Sequence, residues 1–238
     1  MKDRETPDII SRARAWPAAQ WAAAVLLAIF AAVLVRTAWM SDDAYITLRT
    51  VDNFVHGYGL TWNVAERVQA YTHPLWMLVL SAFYLITRDA YFTTLLVSAA
   101  ISLATIGLVV TRVRASWPGC LLAVLGLTLS KAFTDYSTSG LENPLTHLLL
   151  VLFFIVLMQD GVGLRRNVLR RNVLRRIFAL SLLTALLALN RPDIVLFVAP
   201  AYLLALWQSR TAMRWQAPRA IGVILLGFLP LLAWEAFS

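Results

Sequence analysis

Residues 74–87 read PLWMLVLSAFYLIT, and whether they cross a membrane decides how every other segment is arranged. The run is apolar enough to enter hydrocarbon. It is short, however, because a perpendicular helix needs roughly 20 residues to cross, with about 17 as the lower bound. Comparable runs lie at about 17–39, 91–111, 118–133, 144–159, 177–190, 194–207 and 219–237. Several of these are also short, so length does not settle the topology, and charge has to. If every run crosses and the N-terminus is cytoplasmic, about seven of the 21 Lys and Arg residues fall inside. If 74–87 enters without crossing, about fifteen do, as the excess of basic residues in cytoplasmic loops requires. The expectation is an all-α polytopic membrane protein with about seven transmembrane helices. A short helix begun by His73-Pro74 then lies at, or dips into, the outer face.

Composition agrees. The chain is 60% hydrophobic and 14% charged, against about half apolar and a quarter charged in a soluble domain. A net charge of +8 does not point to nucleic acid, because Lys and Arg fall in short clusters between apolar runs, where they meet membrane lipids. The single cysteine, Cys120, excludes an intrachain disulfide and sits in an apolar run as a small core residue. Residues 1–16 form a basic tail expected to be cytoplasmic. The following run is longer than a signal-peptide core and lacks a cleavage site, so it is read as a retained first helix. Residues 17–238 then form one membrane domain, with a first outer loop at 40–90. The repeat RRNVLRRNVLRR (165–176) spreads its arginines around a helix rather than along one face, and reads as a topology-enforcing cytoplasmic loop. No zinc spacing, Walker loop or dinucleotide fingerprint is present.

Three polar segments share the outer face in this arrangement: 41–73, 134–143 (TDYSTSGLEN) and 190–193 (NRPD). Ala44, Tyr45, Leu48, Val51, Phe54 and Val55 recur at helical spacing, which predicts an amphipathic juxtamembrane helix ended by Gly57 and Gly59. Asp42 and Asp43 begin it. One of them can cap the helix, and the other then keeps a lone pair free to act as a general base on a hydroxyl. Glu66-Arg67 and His73 follow, and a cation at His73 suits either a lipid-linked phosphate or a structural hydrogen bond. Glu142-Asn143-Pro144 starts a helix, with Pro144 in its first turn. Arg191 and Asp193 form either a local ion pair or part of a substrate site. His147 reads as packing, and Lys131 as a snorkelling side chain.

The run DDAYITLRTVDNFVHGYGLTWNVAERVQAYTHPLW, with TSGLENPL and NRPD downstream, resembles the N-terminal membrane half of GT-C glycosyltransferases. Its closest likeness is to the terminal β-(1→2) arabinofuranosyltransferases of cell-wall arabinan, over roughly residues 20–238. The resemblance implies a GT-C-type module in the plasma membrane, with the active site outside the cytoplasm. Such enzymes take sugar from a polyprenyl-phosphate donor and transfer it, with inversion, to a glycan or glycoprotein acceptor. It also implies that the general base is Asp42, with Asp43 as close second, and that His73 contacts donor phosphate. Arg67, Glu142, Asn143 and Arg191 complete the expected substrate-binding set. Adjacent carboxylates permit a divalent cation without requiring one. Members of the family usually carry further helices and an extracytoplasmic domain. The expectation is therefore of a chain truncated at its C-terminus, or of one that works with a partner chain.

Overall fold

The computed structural model describes residues 9–66, 68–112, 117–158, 169–213 and 217–238. Ten helices run through them, and no strand occurs among the described residues: α1 (Ile9–Thr37), α2 (Asp42–Val55), α3 (Pro74–Thr87), α4 (Ala90–Arg112), α5 (Trp117–Leu129), α6 (Lys131–Tyr136), α7 (Asn143–Met158), α8 (Leu169–Asn190), α9 (Ile194–Met213) and α10 (Ala217–Phe237). α1 starts inside the stretch expected to be a tail. α8 starts inside the arginine repeat, of which residues 165–168 lie outside the described residues.

Among the described residues, four helical segments are long and apolar enough to cross a membrane: Ala90–Arg112, Val173–Asn190, Ile194–Thr211 and Ala217–Phe237. A fifth, Trp21–Thr37, qualifies together with α2, from which it is bent by 89°. Among the described residues, then, four or five helices reach the length of a full span, against an expectation of about seven. α5 has 13 residues and α7 has 16, about 20 and 24 Å of helix against a hydrocarbon thickness of about 30 Å. α3, with 14 residues, is equally short. Exposed apolar side chains such as Trp21, Leu196, Leu204, Trp207, Ile221 and Leu229 ring α1, α9 and α10, as expected of helices whose outer faces meet lipid rather than water. The molecule is an all-α polytopic membrane protein.

α8 is the hub of the bundle and packs on α7, α9, α10 and α3. α4 joins α7 to α1, α3 and α5. Two buried clusters result. The larger centres on Trp76, Met77 and Leu80 of α3, Phe153 of α7, and Leu180 and Leu187 of α8. The smaller joins Phe30 and Leu34 of α1 to Ile106, Val124 and Phe133. α10 approaches α8 at Gly227, where a Cβ would come within 2.5 Å of the Ser181 Cβ. Such small-residue crossings let backbones approach closely in lipid, where apolar burial gives little drive for helix association.

The helix ends follow local chemistry. Pro74 opens α3 at its first position, where its missing N–H is no loss. α3 ends at Arg88, which adopts a left-handed conformation (φ 57°). Asp89 then accepts the Phe92 N–H at 2.8 Å and starts α4. After α2 the chain turns through Gly57 and Gly59, both at positive φ, and folds back on the helix. There Arg49 lies over the Trp62 ring at 4.7 Å and donates to the Trp62 carbonyl. The loop before α7 is held from several sides. Ser41 N–H donates to the Ser139 carbonyl at 2.8 Å, Trp39 Nε1 to Asp135 O at 2.9 Å, and Trp76 Nε1 to Gly140 O at 2.9 Å. The α1–α2 corner, the start of α3 and the start of α7 therefore meet at one end of the bundle.

Candidate active site

A cleft of about 540 Å³ opens at that meeting point. α2 supplies Asp43, Ile46 and Thr47, and the segment before α3 supplies Ala70, Thr72 and His73. Tyr136, Leu141, Glu142 and Asn143 come from the α6–α7 connection, and Arg191 from the end of α8. The three polar segments singled out above thus contribute to one cavity.

The acidic pair divides. Asp42 Oδ1 accepts the Asp43 backbone N–H at 3.0 Å and the Ser41 hydroxyl at 3.2 Å. Its carboxylate serves the start of α2, where free N–H groups and the helix dipole favour a negative charge, and it does not line the cleft. Asp43 does line it and is solvent-exposed. One turn further along, Thr47 is buried and its hydroxyl lies 2.7 Å from His73 Nε2.

Glu142 sits between an imidazole and a guanidinium. Its Oε2 is 3.5 Å from His73 Nδ1, and its Oε1 is 3.4 Å from Arg191 Nη1. Burial pushes the His73 pKa below the usual imidazole value, and the Glu142 charge opposes that shift without cancelling it. Arg191 forms the local ion pair expected of it and also lines the cleft. Its Nε donates to both oxygens of Asp193, at 3.0 and 3.2 Å, while Nη1 reaches Asn143 Oδ1 at 3.0 Å as well as Glu142. Asn190, fully buried, donates to the Glu142 carbonyl at 3.1 Å and to Thr146 Oγ1 at 2.9 Å, so the end of α8 is tied to the start of α7.

Of the expected residues, Asp43, His73, Glu142, Asn143 and Arg191 come together in the cleft. Glu66 lines a second cavity with Phe54, Tyr71 and Phe237, and Arg67 lies outside the described residues. His147 packs its ring against Phe133 at 5.0 Å, away from the cleft lining. Lys131 pairs with Asp135, one helical turn away. Thr47 and Asn190 were missed by sequence reasoning. The signals for them were present: Thr47 is four residues after Asp43 on one helix face, and Asn190 opens NRPD. Among the described residues, no three His, Cys, Asp or Glu side chains gather as a metal site. A cation held by the acidic pair would draw its remaining ligands from water or substrate.

The arrangement has definite chemical capacity. A carboxylate open to solvent can take a proton from a hydroxyl, and a guanidinium with Nη2 uncommitted among the described residues can receive an anion.

No protein-family model matches the chain, and no solved structure does. Two curated relatives do. The chain is 29% identical to the terminal β-(1→2)-arabinofuranosyltransferase of Corynebacterium glutamicum over 212 residues, which cover 81% of this chain and 30% of that protein. It is 27% identical to the protein of the same name from Mycobacterium tuberculosis over 213 residues, covering 84% of this chain and 32% of the relative. The chain spans about a third of the length of the curated relatives it matches. The likeness read from the DDAYITLR, TSGLENPL and NRPD motifs is thus a measurable similarity, over most of this chain, to arabinofuranosyltransferases.

Proposed function

We propose that this chain is a membrane glycosyltransferase module of the arabinofuranosyltransferase type. It takes sugar from a polyprenyl-phosphate donor and passes it to a glycan acceptor on the extracytoplasmic side. The observation that carries the reading is the cleft itself, in which an exposed carboxylate, Asp43, and a guanidinium, Arg191, line the same cavity. The similarity to two proteins named terminal β-(1→2)-arabinofuranosyltransferase supports the sugar-transfer part of it. Asp43 takes the proton of the acceptor hydroxyl as that oxygen bonds to the sugar C1. The C1–O bond to the phosphate breaks, and the lipid phosphate leaves with the electron pair. Arg191, held by Asp193 and Asn143, offers Nη2 to the charge developing on that phosphate. Asp42 assists by anchoring the start of α2. The N-terminus is cytoplasmic and the cleft extracytoplasmic, an orientation supported by the distribution of Lys and Arg.

The match to about a third of each relative favours a second reading. In that reading the cleft binds the lipid-linked donor, and a partner chain or further sequence binds acceptor. One experiment separates the two. Membranes containing the chain are given radiolabelled polyprenyl-phospho-arabinofuranose with and without an arabinan oligosaccharide. Transfer that falls at least about 100-fold in Asp43→Asn, and less in Asp42→Asn, supports catalysis by the chain. Donor retention without transfer supports the second reading. Transfer undiminished in Asp43→Asn removes Asp43 from the mechanism.

A further inference from the structure

The hydroxyl of Thr47 departs from the usual behaviour of a helical threonine. Threonines inside helices usually return their hydroxyl to the carbonyl four residues back. Thr50 on the same helix does so, donating to Ile46 O at 3.3 Å. The Thr47 hydroxyl instead meets the ring of His73, 26 residues away, at 2.7 Å. On the far side of that ring, Nδ1 faces the Glu142 carboxylate at 3.5 Å and the Thr72 hydroxyl at 3.4 Å. An ionised carboxylate only accepts, so the ring nitrogen facing it carries the proton. In a neutral imidazole the other nitrogen is then an acceptor, and the Thr47 O–H must donate to it. Glu142 in turn holds Arg191 through its second oxygen.

We infer that Thr47 is a positioning residue for the transfer proposed above. Through one hydrogen bond it fixes His73 as the Nδ1–H tautomer, and through His73 it sets the Glu142–Arg191 pair that faces the leaving phosphate. This rests on the transferase reading for its purpose, but not for its geometry. It also removes His73 from direct contact with donor phosphate, because both ring nitrogens are engaged within the protein. Such orientation of a reacting group by a carboxylate–imidazole–hydroxyl line acts on the transition state more than on ground-state binding.

The test uses the full chain in detergent micelles with 15N-histidine, the His73 signals being assigned by their loss in His73→Gln. The expected result is a protonated Nδ1 and an unprotonated, hydrogen-bonded Nε2. Thr47→Val mixes or inverts the tautomers, and Thr47→Ser restores them. In the transfer assay Thr47→Val lowers kcat about tenfold, with donor KM changed less than about threefold, and Thr47→Ser recovers most of the loss. A proton on Nε2 of the unmodified chain overturns the inference. So does a Thr47→Val protein that keeps both its tautomer and its kcat. A chain with the expected tautomers, lost in Thr47→Val, that transfers no sugar overturns the transferase reading and leaves the hydrogen-bond assignment standing.

Discussion

Gly140 shows how one residue governs the cleft. It sits at φ +82°, and a Cβ there would lie 2.7 Å from the Ala44 Cβ and 3.2 Å from Met40 Cγ. Its carbonyl accepts the indole N–H of Trp76, which is fully buried. The α2 helix and the Glu142 loop can touch only because this position lacks a side chain. Gly140→Ala adds a left-handed backbone penalty to a clash that Ala44 cannot relieve without moving α2, together about 2–4 kcal/mol. Thermal unfolding in detergent should show that loss; an unchanged midpoint would mean that the loop and α2 are not in contact. His73 offers a second measurement. Its folded-state pKa lies below 6.5 because of burial, against the opposing pull of Glu142, with Arg191 and Asp43 as the other charges of the cleft. Between the folded and unfolded values the unfolded chain holds more protons, so stability falls as pH drops through about 6.5. His73→Gln lacks this titration. Its melting temperature should therefore fall less than that of the unmodified chain between pH 7.5 and pH 5, and equal falls would contradict the burial of His73.

At the scale of elements, the helix starts were the legible part. Asp42-Asp43 begins α2, His73-Pro74 begins α3 and Asn143-Pro144 begins α7, each where a capping or proline signal stands in the sequence. Packing distances were not legible. Gly227 reads as an unremarked residue in an apolar run, yet its missing Cβ is what lets α10 approach the α8 backbone: a Cβ there would lie 3.0 Å from Leu182 N and 3.1 Å from Phe178 O. Gly227→Ala should destabilise the bundle by about 1–3 kcal/mol through overpacking. The same change in a Ser181→Gly background should cost measurably less, because the nearest clashing atom is the Ser181 Cβ. Equal costs in both backgrounds would deny the close crossing. Ser181 also hydrogen-bonds Tyr202 of α9 at 2.7 Å. The glycine contact is therefore isolated by the coupling in the double-mutant cycle, not by the Ser181 change alone.

For the whole molecule, 41–73, 134–143 and 190–193, grouped on one face by reading 74–87 as a non-crossing segment, do meet in one cleft. The length of each described helix did not follow from the sequence, because apolar runs bounded by Ser, Thr and Pro do not reveal where a helix stops. α5 gives way to α6 at Ser130, whose hydroxyl accepts the Phe133 N–H and starts a new helix inside what reads as one apolar run. Nor could sequence divide the labour between Asp42 and Asp43, which depends on which carboxylate turns toward the backbone at a corner bent by 89°. Orientation remains a matter of charge. The proposed arrangement puts the α3–α4 turn outside and the arginine repeat in the cytoplasm, and the chain suits a labelling test because its one native cysteine, Cys120, is buried. In spheroplasts, Arg88→Cys should react with a membrane-impermeant maleimide, and Arg170→Cys should react only after permeabilisation. Labelling of both from outside, or of position 170 alone, would turn the cleft toward the cytosol. An extracytoplasmic acceptor could not then reach Asp43.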